Sequence, residues 1–253
     1  MQSSTGRQRQ RIGDKDWLKS NFFSTLVIMK IVFYGDSMTE YLHDSLRAFR
    51  QHFDPVGQRS DLELLNYGVG ATRAELVLYR MLYEFWHGRK RMLPLATLQP
   101  DVIVMESCAF NNSTDREDGF INFEHIWDQI VSTCRQFAPR AATLIYITIP
   151  PDLIIPEEKA NRLFFRSLPE IFAYRHHWRQ VYQDRFAQWA QSRQIDILDI
   201  RRDVFAMERK GMLHRDLIHA DGVHPNAAGV DLISRRLAEE ITARLGNQGN
   251  SDG

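Results

Sequence analysis

Residues 29–49 read MKIVFYGDSMTEYLHDSLRAF. Ile31, Val32, Phe33 and Tyr34 follow one another without a polar break, as in a strand covered on both faces. The run stops at Gly35-Asp36-Ser37, and from there Met38, Leu42, Leu46 and Phe49 recur at helical spacing. A buried strand that turns directly into a helix is the opening of a parallel βαβ unit. Ser37 therefore stands where the carboxyl end of a strand meets the start of a helix. Two readings are open for it. Asp and Ser are preferred N-caps, which requires no chemistry. A serine hydroxyl is also a nucleophile when a base takes its proton and an acid fixes the tautomer of that base.

Outward from this stretch the same pattern repeats. Apolar runs occur at 25–34 (TLVIMKIVFY), 62–67 (LELLNY), 101–106 (DVIVME), 143–149 (TLIYITI) and 195–200 (IDILDI), and longer segments with helical spacing lie between them. Among these are Leu76, Tyr79, Leu82, Tyr83 and Trp86, then Ile126, Ile130, Val131 and Cys134. A last helix over about 227–245 carries Val230, Ile233, Leu237, Ile241 and Leu245 on one stripe and should pack on the sheet. Strands alternating with helices predict a single α/β domain with a five-stranded, mostly parallel sheet between two helical layers. The domain is placed at 25–246, with a loosely attached extension at 1–24 and a disordered tail at 247–253. Met29 is a possible start of the folded unit, so whether 1–28 belong to the functional protein is open.

Composition narrows the function. Lys plus Arg and Asp plus Glu each number 32, so there is no net charge to attract nucleic acid or an anionic membrane. The partner expected is a small molecule. Two cysteines, Cys108 and Cys134, are too few for a disulfide framework and fall in apolar segments, as core thiols do. Arg7, Arg9, Arg11, Lys15 and Lys19 precede the apolar Phe22–Met29, a superficial likeness to a secretory signal. That stretch is short, lacks a small-residue cleavage site and runs into the first strand, so neither a signal peptide nor a membrane span is expected, and the location expected is cytoplasmic.

In parallel sheets ligands bind beyond the carboxyl ends of the strands. The loops there are Gly35-Asp36-Ser37, then GVGAT (68–72), SCAFNNS (107–113) and, before the last helix, HADGVHPNAAG (219–229). In DGVHP, Asp221 and His224 stand three apart on a loop stiffened by Pro225, so one turn can present both. Asp221 would bond one imidazole nitrogen while the other faces Ser37. The plainer alternative is that Asp221 and Asn226 only shape a turn and cap the helix.

These four segments, in this order, resemble the blocks of the SGNH hydrolases, the GDSL esterase and lipase family. The resemblance spans Ser37 to His224. It implies a flavodoxin-like three-layer α/β/α fold, Ser37 as nucleophile, Asp221 and His224 as its partners, and no metal or organic cofactor. It also implies an oxyanion hole from the Ser37 N–H, a second-block N–H and a third-block asparagine. Such donors stabilise charge that appears only in the transition state. Asn111 takes the asparagine role, with Asn112 as the near alternative; Ala109 stands where the family has glycine. In NYGVGATRA the family's last glycine position falls on Ala71, so the second-block donor is either Gly70 or Ala71. The reaction implied is hydrolysis of carboxylic esters with small acyl or O-acetyl groups through an acyl-enzyme.

Three rivals stand beside this reading: a metal site of His219, Asp221 and His224, a non-catalytic binding module on the same fold, and a lysophospholipase or thioesterase. Residues 150–194 are longer than a crossover helix needs. Phe164, Phe165, Phe172, Tyr174 and Trp178 form either a wall over the site or the buried face of a long helix. Arg162, Arg166, Arg175, His176, His177 and Arg179 either meet a negatively charged substrate or are a solvated face. The sequence is silent on oligomeric state.

Overall fold

The computed structural model describes residues 28–44, 46–59, 61–151 and 169–249, and of the last stretch the side chains of 174–246. Residues 1–27, which include the extension, and most of the 247–253 tail lie outside this description, as do Phe164 and Phe165, Arg162 and Arg166, and the side chain of Phe172.

Five strands form the main sheet: β1 (Met29–Gly35), β2 (Leu62–Gly68), β5 (Val102–Glu106), β6 (Ala142–Ile147) and β7 (Ile197–Asp199). Their order is β2-β1-β5-β6-β7. Every pairing is parallel, from Ile31 opposite Leu64 and Val102 in the centre to Tyr146 opposite Leu198 near the edge. Alternation along the strands splits the apolar runs between two cores. Val32, Tyr34, Ile103 and Met105 face one side. There they meet Val77 and Met81 of α3 (Ala74–Leu82), Phe123, Trp127 and Ile130 of α6 (Glu117–Phe137), and Phe186 and Trp189 of α7 (Pro169–Ser192). Ile31, Phe33, Val104 and Tyr146 face the other. Their partners are Phe49 of α2 (Arg47–Phe53), Val204 of α8 (Arg201–Glu208), and Ile233, Leu237 and Ile241 of α9 (Ala227–Gly249). Burying such a side chain fully contributes about 1.5–3 kcal/mol, which is why runs without polar breaks form the centre of the sheet. The architecture is the three-layer α/β/α fold expected.

Three local expectations change. The stripe from Met38 to Phe49 is fully buried, but not on one helix: α1 (Ser37–Glu40) ends after four residues, and α2 starts at Arg47. His43 and Leu46 between them have φ of 61° and 45°, left-handed values that end a helix. On α3 the expected stripe is the wrong face. Tyr79, Leu82, Tyr83 and Trp86 are exposed, whereas Ala74, Val77, Arg80 and Met81 are buried. Tyr83 and Trp86 lie beyond the helix, where the chain forms an antiparallel hairpin, β3 (Phe85–His87) with β4 (Lys90–Met92), turned at Gly88. Trp86 therefore stands on a two-stranded hairpin rather than on the helix.

The described residues also include two short helices, α4 (Leu95–Leu98) and α5 (Ala109–Asn112). Cys108 and Cys134 are buried free thiols. Among the described residues no helix is long and apolar enough to cross a membrane. The chain leaves β1 toward β2 on one side and returns to β5 on the other, so a crevice opens where the carboxyl ends of β1 and β5 diverge.

Candidate active site

Ser37 sits in this crevice because the turn after β1 permits no other course. A side chain at Gly35 would meet Thr39 Oγ1 at 2.1 Å, and one at Gly68 would meet the Glu40 amide at 2.4 Å. The first turn of α1 is therefore pressed onto the ends of β1 and β2. Asp36 caps it, accepting the Met38 amide at 2.8 Å, while its own carbonyl accepts from Thr39 and Glu40. Asn66 secures the other end of α1. Its Nδ2 donates to the carbonyls of Thr39 (2.9 Å) and His43 (3.0 Å), and its Oδ1 accepts the Gly68 amide (2.9 Å). Beneath the turn the buried Arg80 donates to the Gly35 carbonyl at 2.9 Å and to Thr72 Oγ1 at 3.1 Å. That joins the first loop to the second.

The loop before α9 folds back on itself. Ile218 bridges Pro225, the His219 amide donates to the His224 carbonyl at 2.7 Å, and Gly222 turns with φ +73°. Asn226 closes it, donating to the carbonyls of Asp216 and Ile218 and capping α9 at the amides of Ala228 and Gly229. The turn-and-cap alternative is thus correct for Asn226. It does not exclude the other. His224 Nε2 lies 2.9 Å from Ser37 Oγ, and His224 Nδ1 lies 2.6 Å from Asp221 Oδ2. Asp221 Oδ1 accepts the amides of Val223 (2.9 Å) and His224 (3.0 Å). Burial alone would raise the Asp221 carboxyl, but the His224 ring and these two amides outweigh it and hold its pKa at about 2. Asp221 is therefore ionised at neutral pH. Tyr41 stacks on the imidazole, with centroids 4.4 Å apart and planes 10° from parallel.

On the other side of Ser37, Asn111 Nδ2 donates to Asp36 Oδ2 at 2.8 Å, so the cap of α1 also orients the third-block asparagine. Asn112 points elsewhere and is buried, its Nδ2 donating to the Cys108 carbonyl at 2.8 Å. Gly70 approaches closely: a side chain there would lie 3.9 Å from Ser37 Cβ and 2.8 Å from Glu40 Oε2. Ala71 next to it has φ 54°.

Asp36 is fully buried, and burial pushes its carboxyl up to about 6, against the pull of the Met38 amide, His224, Asn111 and Arg179. Behind it lies Glu106, which burial and the neighbouring Asp36 hold well above the usual carboxylate range. Two buried carboxyls this close share a proton more readily than both ionise. With Cys108 they are the one His, Cys, Asp and Glu group among the described residues whose ligand atoms lie within 4.8 Å of one another. His219 does not complete such a group with Asp221 and His224. Its ring meets Tyr41 edge-on instead. The Asp36 and Glu106 oxygens already accept Met38, Asn111, Ser107 and Cys108, so this cluster serves as a set of buried hydrogen-bond acceptors rather than an open metal site.

The sequence reading treated Asp36 as a neighbour of Ser37 and passed over Arg80, Tyr41 and Glu106. Asp36 was legible as an N-cap; the other three act across loops distant in sequence and carry no local signal.

The chain matches the sequence model of the GDSL-like Lipase/Acylhydrolase family over residues 33–232. No curated protein matches it in sequence. Among solved structures it is similar to the acetyl xylan esterase AlAXEase, with a TM-score of 0.60 and 16% identity over 84% of this chain and 100% of that one. It is also similar to Axe2, an acetylxylan esterase from Geobacillus stearothermophilus, with a TM-score of 0.53 and 15% identity over 85% of this chain and 96% of that one. An aryl esterase of M. smegmatis in inhibitor-bound form gives a TM-score of 0.54 and 13% identity over 85% and 99%. At these identities the structures bear on the fold, while the family match spans most of the chain and includes every loop of the crevice. The chain belongs to the GDSL-like lipase/acylhydrolase family and is a hydrolase of ester bonds.

Proposed function

We propose that the protein cleaves short-acyl carboxylic esters, O-acetyl groups among them, by a two-step acyl transfer on Ser37. The observation that carries this is the unbroken relay from Ser37 Oγ through His224 to Asp221, at 2.9 and 2.6 Å. His224 Nε2 takes the hydroxyl proton as Ser37 attacks the carbonyl carbon, and the ionised Asp221 stabilises the imidazolium. The oxyanion forms against the Ser37 N–H, the N–H of Gly70 or Ala71, and Asn111 Nδ2. One hydrogen of the Asn111 amide goes to Asp36, so the second is aimed without reorganisation. His224 returns its proton to the leaving alcohol, and water repeats the sequence on the acyl-enzyme. The close approach of Gly70 to Ser37 favours it as the second donor. The short acyl group is supported by likeness in fold to two acetyl xylan esterases.

The test is the initial rate of p-nitrophenyl acetate hydrolysis by the wild type and by Ser37→Ala, both with chelator. The rate should fall by about 10⁴-fold or more in the variant, and the chelator should change neither rate. A Ser37→Ala protein that keeps most of the rate would sink the proposal.

A further inference from the structure

Helix α7 packs across α5, the turn that carries Asn111. From it Arg179 lies over the ring of Phe110, its guanidinium carbon 5.7 Å from the ring centre. Phe110 directly precedes Asn111, so the cation lies against the short helix that carries the asparagine assigned to the oxyanion. Arg179 is only partly exposed. Burial and the like charge of Arg175 pull its pKa down, while Asp36 and Asp221 push it back, which places the guanidinium within electrostatic reach of both aspartates. It bonds neither. Asp36 is engaged by Met38 and Asn111, and Asp221 by His224 and two amides.

A guanidinium offers five N–H donors in a planar fork, and among the described residues no hydrogen bond occupies those of Arg179. Among the described residues this positively charged fork has no acceptor, and an aromatic face steadies it.

We propose that Arg179 reads a carboxylate on the substrate, so that the preferred esters carry a negative charge close to the acyl group being removed. This rests on the esterase reading above. Arginine suits the role because its fork matches a carboxylate with two parallel hydrogen bonds, which a lysine does not reproduce.

The experiment compares kcat/KM for 3- and 4-acetoxybenzoate with that for the uncharged 3- and 4-acetoxybenzamide. A charge-assisted hydrogen bond supports a preference of about 10- to 100-fold for at least one of the two acids. In Arg179→Met that ratio should fall toward one, and in Arg179→Lys it should lie between. A merely structural role for Arg179 would lower the rates on acid and amide alike and leave their ratio intact. A wild-type ratio of one at both positions, or a preference undiminished in Arg179→Met, overturns the proposal. If the esterase reading fails, none of the four esters is turned over, and calorimetry on Ser37→Ala then reads recognition alone. Acid bound at least about tenfold tighter than amide, with the difference lost on adding Arg179→Met, upholds the role of Arg179, and equal binding of acid and amide overturns it.

Discussion

Two aspartates flank the same serine and are driven in opposite directions. Asp36 lies beneath the crevice with no solvent exposure, and its carboxyl is pushed up to about 6. Asp221 lies on a half-open loop, and its carboxyl is held at about 2. Both are buried enough to lose water, and both accept two or more hydrogen bonds. The difference is what else stands nearby. Asp221 faces an imidazole, which on the proposed mechanism becomes a cation; Asp36 backs onto Glu106, a second buried acid. One aspartate is arranged to stay ionised while charge moves past it. The other is arranged to hold a helix end and an amide in place.

That contrast can be broken most strongly at Asp221. Asp221→Asn keeps the shape of the loop but leaves His224 without its charge partner, and kcat should fall by about 10⁴-fold in a p-nitrophenyl ester assay. On the opposite flank Asn111→Ala should cost about 10²- to 10³-fold in kcat, and an unchanged rate would move the oxyanion role to backbone groups. Asp36→Asn should cost less than either, because the new amide can still accept from Asn111.

Thermal or denaturant unfolding across pH separates the two aspartates by sign. Asp36 has its folded pKa raised, so its contribution is complete below the unfolded value of about 3.9 and is lost as pH rises through about 6. Asp36→Asn should therefore gain on the wild type over that interval. Asp221 has its folded pKa lowered, so its contribution is present above about 3.9 and is lost as pH falls through about 2. The deficit of Asp221→Asn should shrink in acid. Parallel pH curves for the two variants would refute the contrast. The smallest effect is expected at Tyr41, whose stack on His224 is worth roughly 2- to 10-fold in rate; Tyr41→Leu should lose it and Tyr41→Phe should keep it.

The parts read correctly from sequence share a cause. β1, β5 and β6 are covered on both faces, so their apolar runs carry no competing signal, and the glycine, aspartate and serine that end β1 announce a turn. That Ser37, His224 and Asp221 come together was legible because Asp221 and His224 are neighbours on one loop. Elsewhere local pattern misled. The aromatic stripe of Tyr79, Leu82, Tyr83 and Trp86 outweighed the smaller Ala74 and Val77, yet the helix buries the latter, with Arg80 tucked inward by its bond to the Gly35 carbonyl. The hairpin at 85–92 has strands of three residues, too short to show alternation. The aromatics of residues 174–189 divide as well: Tyr182, Phe186 and Trp189 are core, while Tyr174 is exposed.

The bond between Ser37 and His224 joins positions 187 residues apart. During synthesis at about 5–20 residues per second, the serine therefore waits roughly ten to forty seconds before its proposed base is made. Until α9 has docked on α2 and brought the His224 loop across, the nascent chain carries an alcohol no more reactive than any other serine. On the proposed mechanism hydrolysis starts only after this docking, and in a refolding experiment its appearance should trail the recovery of helical signal. The delay would time the arrival of the carboxyl-terminal helix.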